Sequence, residues 1–440
     1  MALVHARTRR RAFAGALAGH VIEWYDYGVY GFLAVYIAGN FFVSENPSAA
    51  LLNSLAVFAL SFLVRPLGGL VFGPLADRIG RKAVLVSIVG LMSASTFAVG
   101  LLPTYERVGI VAPALLVVVR CIQGLSAGGE MGTATSFMAE YAGAGRRGWG
   151  TSLVVMGSVI GLLFGSLFAN GLAVLVGASA MSEWGWRLPF LLTGPLGVIA
   201  LIIRAKIEET PEFLELQRDG NLAVSPLREI NSNLRPIVIV FAIVTLMNSY
   251  FYLVLTFTST YFTQYLEFGT GARFGLVTAA TVVAAIMMPL GGRYTDSHDR
   301  RKFLMAAGVL SILSMLWFFW VSPTSTPGQL ILPLLAMAAT FGLYASSTFA
   351  LVTEILPVRT RSTGIAIGYN LPVAIFGGSA PLVAAWLIER TGDPSSPMYY
   401  FVALGCVSLI GLMVIRDRDY MEAAPRGKAV LLDASGDATP

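Results

Sequence analysis

Two stretches of the sequence place ionisable side chains inside long apolar runs. In the first, Glu23, Asp26, Tyr27 and Tyr30 follow the spacing i, i+3, i+4 and i+7, which puts them on one face of a helix. An unpaired charge at the middle of a bilayer costs on the order of 3 kcal/mol on insertion scales. Such a carboxylate must face a wet cavity, pair with a cation or hold a proton. We therefore predict proton coupling at Asp26 and Glu23, with a structural ion pair as the alternative.

The second stretch places Arg120, Gln123 and Glu130 on one helix face in another apolar run. A guanidinium is effectively always charged, and its planar donor fork suits a carboxylate. We predict that Arg120 either pairs with the acidic residues of the first stretch or, together with Gln123, binds an anionic ligand. Glu130 is predicted to belong with Asp26 and Glu23 among the proton-coupling residues.

Other polar and aromatic side chains inside apolar runs are weaker candidates. They are predicted to line a central cavity, although buried Tyr and Asn also serve helix packing. This group comprises Tyr27, Tyr30, Asn248, Tyr252, Tyr344 and Asn370. Arg65, next to Pro66 in a further apolar run, is expected to have a structural role.

The composition indicates that lipid is the main solvent of these runs. The chain of 440 residues is 56% hydrophobic and 12% charged, whereas soluble domains are nearer 25% charged. About twelve runs approach the roughly 20 apolar residues that a bilayer requires. The fold class predicted is therefore an all-α membrane protein of twelve transmembrane helices.

Glycine residues at intervals of four form two ridges of small residues, at Gly124, Gly128 and Gly132 and at Gly157, Gly161 and Gly165. Such ridges predict close packing of the fourth and fifth spans against each other.

Two signatures occur twice, which indicates two copies of one half. A glycine precedes an acid by four residues in a charged turn, and a Glu precedes an Arg by seven residues. The copies are Gly73 and Asp77 with Gly292 and Asp296, and Glu140 and Arg147 with Glu354 and Arg361. Tandem membrane halves are typical of secondary transporters. The predicted domains are a six-helix bundle at 1–204, a cytoplasmic connector at 205–235, a second bundle at 236–417 and a disordered cytoplasmic tail at 418–440.

Most of the 30 Lys and Arg residues fall in alternate loops, together with both ends of the chain. The positive-inside rule then predicts cytoplasmic termini in a bacterial cytoplasmic membrane.

Cys121 and Cys406 lie within apolar runs and indicate no disulfide framework. No His/Cys cluster has metal-ligand spacing, and nothing predicts a cofactor or a nucleic-acid partner.

The motifs resemble those of the major facilitator superfamily over nearly the whole chain. The turn from Gly73 through Asp77, Arg78 and Arg81 resembles its loop signature. Arg120 with Gln123 and Gly124 resembles its fourth-span signature, which the family links to proton transfer. The segments 23–26, 65–69 and 123–130 are similar to the metabolite:proton symporters, whose members carry citrate, α-ketoglutarate, aromatic acids, proline and betaine. The resemblance is closest to the citrate-type branch.

This resemblance implies two six-helix bundles with a midplane cavity and a latch on the cytoplasmic side. Asp77 is expected to contact Arg81 and the positive start of the eleventh span. Glu140 with Arg147 and Glu354 with Arg361 are expected to brace the same surface. The set of predicted gating residues is Asp77, Arg78, Arg81, Glu140, Arg147, Asp296, Glu354 and Arg361.

The function predicted is proton-driven import of a small organic anion by alternating access, in a chain that is expected to act as a monomer. A carrier of a zwitterion such as betaine or proline is the alternative, in which an aromatic cage for the ammonium group would matter more than Arg120. The polar tail after the last span lacks heptads, which weighs against the osmosensing betaine carriers. No nucleophile–base set suggests an enzyme.

Overall fold

The structure is a computed structural model that describes residues 6–42, 47–232 and 234–420. Each predicted apolar run forms a helix, as expected when lipid leaves the backbone no other partners. The helices are α1 Ala6–Phe41, α2 Pro47–Ile79, α3 Arg81–Leu101, α4 Val111–Ala142, α5 Arg147–Ala180, α6 Met181–Ala205, α7 Arg235–Gln264, α8 Thr270–Thr295, α9 Arg300–Val321, α10 Pro327–Ile355, α11 Val358–Thr391 and α12 Pro397–Val414.

The all-α fold class is confirmed, and the chain is a multi-pass membrane protein. Eleven segments, in α2 to α12, are long and apolar enough to cross a membrane by length and composition among the described residues. The remaining helix, α1, has 36 residues and is therefore about 54 Å long. Its first turns contain the basic residues Arg7 and Arg9 to Arg11, and its middle contains Glu23 and Asp26.

The charged turn between the second and third spans is narrower than the sequence suggests. Helix α2 continues to Ile79 and α3 begins at Arg81, so that Gly80 alone separates them. Gly80 has φ 107°, a conformation that glycine adopts without steric cost. Asp77 and Arg78 therefore lie in the last turn of one helix, and Arg81 lies in the first turn of the next.

The two glycine ridges do permit close helix packing, but with other partners than predicted. A Cβ on Gly128 would lie 2.0 Å from the carbonyl oxygen of Arg65, so the ridge of α4 packs against α2. A Cβ on Gly161 would lie 2.4 Å from the carbonyl oxygen of Val21, so the ridge of α5 packs against α1. The prediction that α4 and α5 use these ridges against each other is wrong. The spacing shows that a ridge exists, but the choice of partner depends on the tertiary arrangement.

Two helices of the second half are interrupted near their middles. Wider, π-type turns occur at Leu253–Phe257 in α7 and at Val373–Gly377 in α11. A Cβ on Gly377 would lie 2.8 Å from the ring of Tyr252, so the two interruptions are close together. Turns of this kind are frequent at functional sites, and the turn in α7 begins directly after Tyr252.

The segment between α6 and α7 lies at the same end of the bundle as Gly80. We call this end, which also carries the α8–α9 turn at Ser297, the charged end. The connector contains two short helices, Pro211–Arg218 and Pro226–Ser232. The first inserts the ring of Phe213, which is 3% exposed, against the guanidinium of Arg81 at 5.0 Å. Of the predicted tail, the part after residue 420 lies outside the described residues.

Candidate functional site

The acidic residue of the first stretch and the arginine of the second form a buried ion pair. Arg120 Nη1 lies 2.9 Å from Asp26 Oδ2, and both side chains are at most 1% exposed. Gln123 Nε2 donates to the same oxygen at 3.2 Å and to Thr96 Oγ1 of α3 at 2.7 Å. The guanidinium also lies over the ring of Tyr30 at 3.7 Å. The predicted pairing is therefore present, and it includes Thr96, which no pattern in the sequence had singled out.

The pair keeps several polar atoms without partners, although it is fully enclosed. Asp26 Oδ1, Arg120 Nη2 and Gln123 Oε1 have no hydrogen-bond partner among the described residues. Buried polar atoms of this kind are costly unless water or a ligand satisfies them. The described contacts of the pair all come from the first half. In this state the pair therefore lies inside the first half and not at its interface with the second half.

A cage of aromatic rings, formed by Trp24, Tyr27 and Phe62, surrounds the guanidinium of Arg65 close to this pair. The guanidinium carbon lies 4.6 Å from the ring centroid of Tyr27, 4.7 Å from that of Phe62 and 5.7 Å from that of Trp24. Arg65 is 1% exposed. Ring faces attract cations within about 6 Å, by roughly 2 kcal/mol or more when the group is desolvated. The cage therefore holds a cation by ring faces, a property that the prediction of a structural role for Arg65 did not include.

Residues of the second half close this cage. The ring of Phe251 lies 5.0 Å from that of Trp24, and the ring of Tyr252 lies 5.7 Å from that of Phe62. The cage is thus at the interface between the halves. Tyr27 belongs to it and Tyr252 contacts it; both residues are among those predicted to line a central cavity. A ligand can enter it only when the halves separate at one end.

The other predicted lining residues lie elsewhere or make other contacts. Tyr344 donates to the carbonyl of Ile243 at 2.9 Å inside the second half. Asn370 donates to the carbonyl of Gly128 at 2.6 Å and so bridges α11 to α4. Asn248 is 3% exposed, and its Nδ2 has no hydrogen-bond partner in the part of the chain that the structure describes.

The structure does not place Glu130 with Asp26. Its carboxylate instead contacts His20 Nδ1, and its other oxygen lies 3.5 Å from Arg204 Nη2. The seven residues from Gln123 to Glu130 correspond to about 10 Å along α4 toward the charged end. Glu23 lies in α1, but its side chain is outside the described part of the structure.

At the charged end, Asp77 makes both of the contacts expected from the sequence. Its Oδ1 lies 3.4 Å from Arg81 Nη2. Its carboxylate accepts hydrogen bonds from the backbone amides of Ser362 and Thr363 at 3.2 and 2.9 Å, at the beginning of the main helical part of α11. Those amides belong to the first helical turn, where the dipole favours an anion.

Asp296 makes the equivalent contacts from the second half. It accepts from the amides of Gly148 and Trp149 at 2.7 and 3.0 Å, in the first turn of α5. Arg300 Nη2 lies 2.9 Å from the same carboxylate. The second charged turn has Ser297 and Asp299 where the first turn has Arg78 and Gly80, yet its first acid joins the halves as Asp77 does.

The expected bracing pairs have different partners. Glu140 lies 3.3 Å from Arg81 and 3.4 Å from Arg361 of the other half, while Arg147 lies 3.0 Å from Glu212 of the connector. The spacing of seven residues places each Glu and Arg near the same surface. It does not determine which cation pairs with each carboxylate.

The connector joins the same surface through Glu212, whose second oxygen lies 2.8 Å from Arg361. The described partner of Glu354 is Arg300. Arg78 donates to the carbonyl of Val224 in the connector, with its Nε at 3.1 Å. The charged end is thus closed in this structure by bonds between the halves and to the connector.

The sequence profile described as Major Facilitator Superfamily matches residues 16–367 and 264–431. The ectoine/proline transporter ProP of Corynebacterium glutamicum is 33% identical over 93% of this chain and 84% of its own length. The glycine betaine/proline/ectoine/pipecolic acid transporter OusA of Dickeya dadantii is 33% identical over 91% of this chain and 82% of its own length. A putative proline/betaine transporter of Staphylococcus aureus is 33% identical over 97% and 91%.

The fold is also that of a solved transporter. The proton:xylose symporter XylE bound to 6-bromo-6-deoxy-D-glucose superposes with a TM-score of 0.75, at 17% identity, over 93% of this chain and 95% of its own. At this identity the likeness establishes the fold alone.

These relatives correct the predicted function. The prediction of an organic-anion symporter of the citrate-type branch is wrong, because the relatives are named for proline, betaine and ectoine. The site gives a physical reason, since Asp26 already neutralises Arg120 and leaves no uncompensated cation there for an anion. The absence of heptads in the tail was a poor criterion, because the similarity extends over the membrane-spanning part of the chain.

Proposed function

The chain belongs to the Major Facilitator Superfamily, and we propose that it imports a zwitterionic compatible solute of the betaine and proline class together with a proton. Transport would proceed by alternating access, in which the two six-helix halves rock about a midplane site. The proton gradient would supply the energy, with no cofactor. We propose that the protein resides in a bacterial cytoplasmic membrane, where the positive-inside rule would place the charged end and both termini inside.

The observation that carries this proposal is the cage of Trp24, Tyr27 and Phe62 around the guanidinium of Arg65. A zwitterion needs ring faces for its ammonium group and a fixed cation for its carboxylate. The cage offers both at the interface between the halves. We propose that the substrate carboxylate binds Arg65 while its ammonium group takes the ring faces that the guanidinium covers in this closed state.

The coupled proton is assigned to Asp26. This residue lies in the same helix as Tyr27, which belongs to the cage, and Tyr30, which contacts Arg120. A nearby cation stabilises the carboxylate, and a dry environment favours the protonated acid. Opening of the halves changes both the hydration of Asp26 and its distance from Arg120. The pair can therefore bind a proton in one state and release it in the other.

The test is uptake by the purified protein in proteoliposomes. An inward proton gradient should drive accumulation of radiolabelled glycine betaine, and a protonophore should abolish it. Unlabelled proline and ectoine should compete, whereas citrate should not. Competition by citrate alone, or accumulation that ignores the proton gradient, would contradict the proposal.

A further inference from the structure

A second buried cluster of ionisable side chains lies between the Asp26–Arg120 pair and the charged end. His20 of α1 contacts Glu130 of α4 through Nδ1 and Ser158 Oγ of α5 through Nε2, the latter at 2.7 Å. Arg204 of α6 lies 3.5 Å from the other oxygen of Glu130. The side chains of His20 and Glu130 are each 1% exposed. Four helices of the first half thus meet at one imidazole–carboxylate pair.

We infer that His20 and Glu130 hold the transported proton on its way between Asp26 and the charged end. The inference rests on the proposed proton coupling and names the residues that would carry the proton beyond Asp26. Histidine is the side chain whose unperturbed charge changes between pH 5 and 8. Burying an ionisable group inside a membrane protein costs free energy, and such groups typically mark ion or proton pathways.

The hydrogen bonds suit both charge states of the imidazole. When His20 is neutral, Nδ1–H donates to the Glu130 carboxylate and Nε2 accepts from the hydroxyl of Ser158. An incoming proton bonds to Nε2, and the Ser158 hydroxyl turns to accept from it. Transfer of the Nδ1 proton to Glu130 then leaves an imidazole protonated at Nε2 and a neutral acid, which loses its proton to water on the side of Arg204. Exchange of the remaining ring proton from Nε2 back to Nδ1 through water restores the first tautomer.

The position of the cluster fits this role. The six residues from His20 to Asp26 correspond to about 9 Å along α1. On the other side, Arg204 lines a narrow crevice with room for about one water molecule. The crevice also includes Lys82, in the first turn of α3 at the charged end. The cluster therefore lies between the coupling pair and a route to the surface.

The charged and polar groups around the imidazole come from each neighbouring helix. Helix α1 supplies the ring of Trp24, whose centroid lies 6.2 Å from that of the imidazole. Asp26 lies about 9 Å further along the same helix, and the side chain of Glu23, also in α1, is outside the described part. Helix α4 supplies Glu130 and α6 supplies Arg204, which lines the crevice together with the more distant Lys82 of α3. Helix α5 contributes the uncharged Ser158. Protonation of His20 adds one positive charge to a cluster that otherwise balances Glu130 against Arg204.

The decisive experiment compares His20→Gln with His298→Gln in proteoliposomes. His298 is an exposed residue of the α8–α9 turn, which makes it a matched control. Two readouts are needed: uptake of glycine betaine driven by a proton gradient across a pH series, and betaine exchange without a gradient. His20→Gln should retain exchange but lose gradient-driven accumulation by about tenfold or more. His298→Gln should behave as the wild type in both assays.

Ser158→Ala provides a second test that keeps the imidazole and the carboxylate. Removal of the hydroxyl that accepts from protonated His20 should move the midpoint of the pH profile to lower pH. An unchanged midpoint, or wild-type accumulation by His20→Gln, would overturn the inference while the proposed function stands. Wild-type uptake that does not respond to the proton gradient would instead refute the proposed function itself.

Discussion

Asp77 and Asp296 occupy equivalent positions in the two halves, and each caps a helix of the opposite half. Asp77 accepts from the amide of Thr363 at 2.9 Å, and Asp296 accepts from the amide of Gly148 at 2.7 Å. Both bonds lie at the charged end and join α2 to α11 and α8 to α5. They can exist only while that end is closed, so the two carboxylates stabilise the closed state selectively.

Asp77→Asn and Asp296→Asn should each open the charged end. An anion at a helix start contributes about 0.3–2 kcal/mol, and an amide keeps the shape without the charge. The closed population should therefore fall relative to the open one by between about twofold and thirtyfold. Spin labels at positions 146 and 297, in a background with both cysteines replaced, would report the distance across this end.

Asp299→Asn is the control for this pair. Asp299 caps its own helix by accepting from the amide of Lys302 at 3.1 Å, so it does not join the halves. Its replacement should leave the distance distribution unchanged. If Asp77→Asn gave the same distribution as Asp299→Asn, the carboxylate caps would have no part in holding the closed state.

Phe62→Leu should weaken the binding of glycine betaine by between about twofold and thirtyfold, which corresponds to a cation–π contribution of about 0.5–2 kcal/mol. The ring lies 4.7 Å from the guanidinium of Arg65, while leucine fills the space without a negative face. Phe62→Tyr should retain the affinity, because it retains the face. Equilibrium binding of radiolabelled betaine to the purified variants measures the change.

Phe318→Leu separates the loss of a ring face from the loss of packing. Phe318 is 1% exposed and lies against Tyr261 in the second half, with the ring centroids 6.0 Å apart. Its replacement should lower thermal stability without a specific loss of betaine affinity. Equal losses of affinity in both variants would contradict the role assigned to the cage.

Gly128→Ala should destabilise the first half. The added methyl group would meet the carbonyl oxygen of Arg65 at 2.0 Å, so α2 and α4 must move apart. Overpacking of this kind typically costs about 1–3 kcal/mol. Thermal unfolding in detergent should show a lower midpoint than for Gly145→Ala, where nothing lies within 4 Å of the new Cβ. Equal midpoints would mean that the close approach of α2 and α4 is not needed for stability.

The sequence predicted the helices well because the bilayer imposes one strong requirement. A span needs about 20 apolar residues and a hydrogen-bonded backbone, and both properties can be read locally. The pairing of Asp26 with Arg120 was also accessible, since an isolated buried charge is too costly to leave unpaired. The contact of Asp77 with the start of α11 followed from the charge of the residue and the dipole of a helix.

What the sequence could not supply were choices among equivalent partners. His20 and Glu130 are 110 residues apart, and nothing local connects them. Arg65 was expected to be structural because its ring neighbours come from two helices whose mutual orientation only the fold defines. The prediction of the substrate class failed for a related reason. Arg120 with Gln123 was weighed as a binding site for an anion, whereas in the fold Asp26 already neutralises Arg120 and an aromatic cage lies nearby.

Asp26→Asn should separate exchange from energy coupling. An asparagine cannot take up a proton, so the variant should exchange betaine across the membrane but fail to accumulate it against a gradient. The substitution also leaves Arg120 without its buried counter-ion, which typically costs about 3–5 kcal/mol. Asp26→Asn combined with Arg120→Gln removes that cost, so the double variant should recover thermal stability without recovering accumulation.

Asp393→Asn, in an exposed turn after α11, serves as the control and should accumulate betaine as the wild type does. Exchange and proton-driven accumulation must be measured on the same proteoliposome preparations, because a lower amount of folded protein reduces both together. Loss of coupling reduces accumulation alone. Undiminished proton-driven accumulation by Asp26→Asn would show that the proton is carried elsewhere, since the amide that replaces the carboxylate cannot titrate.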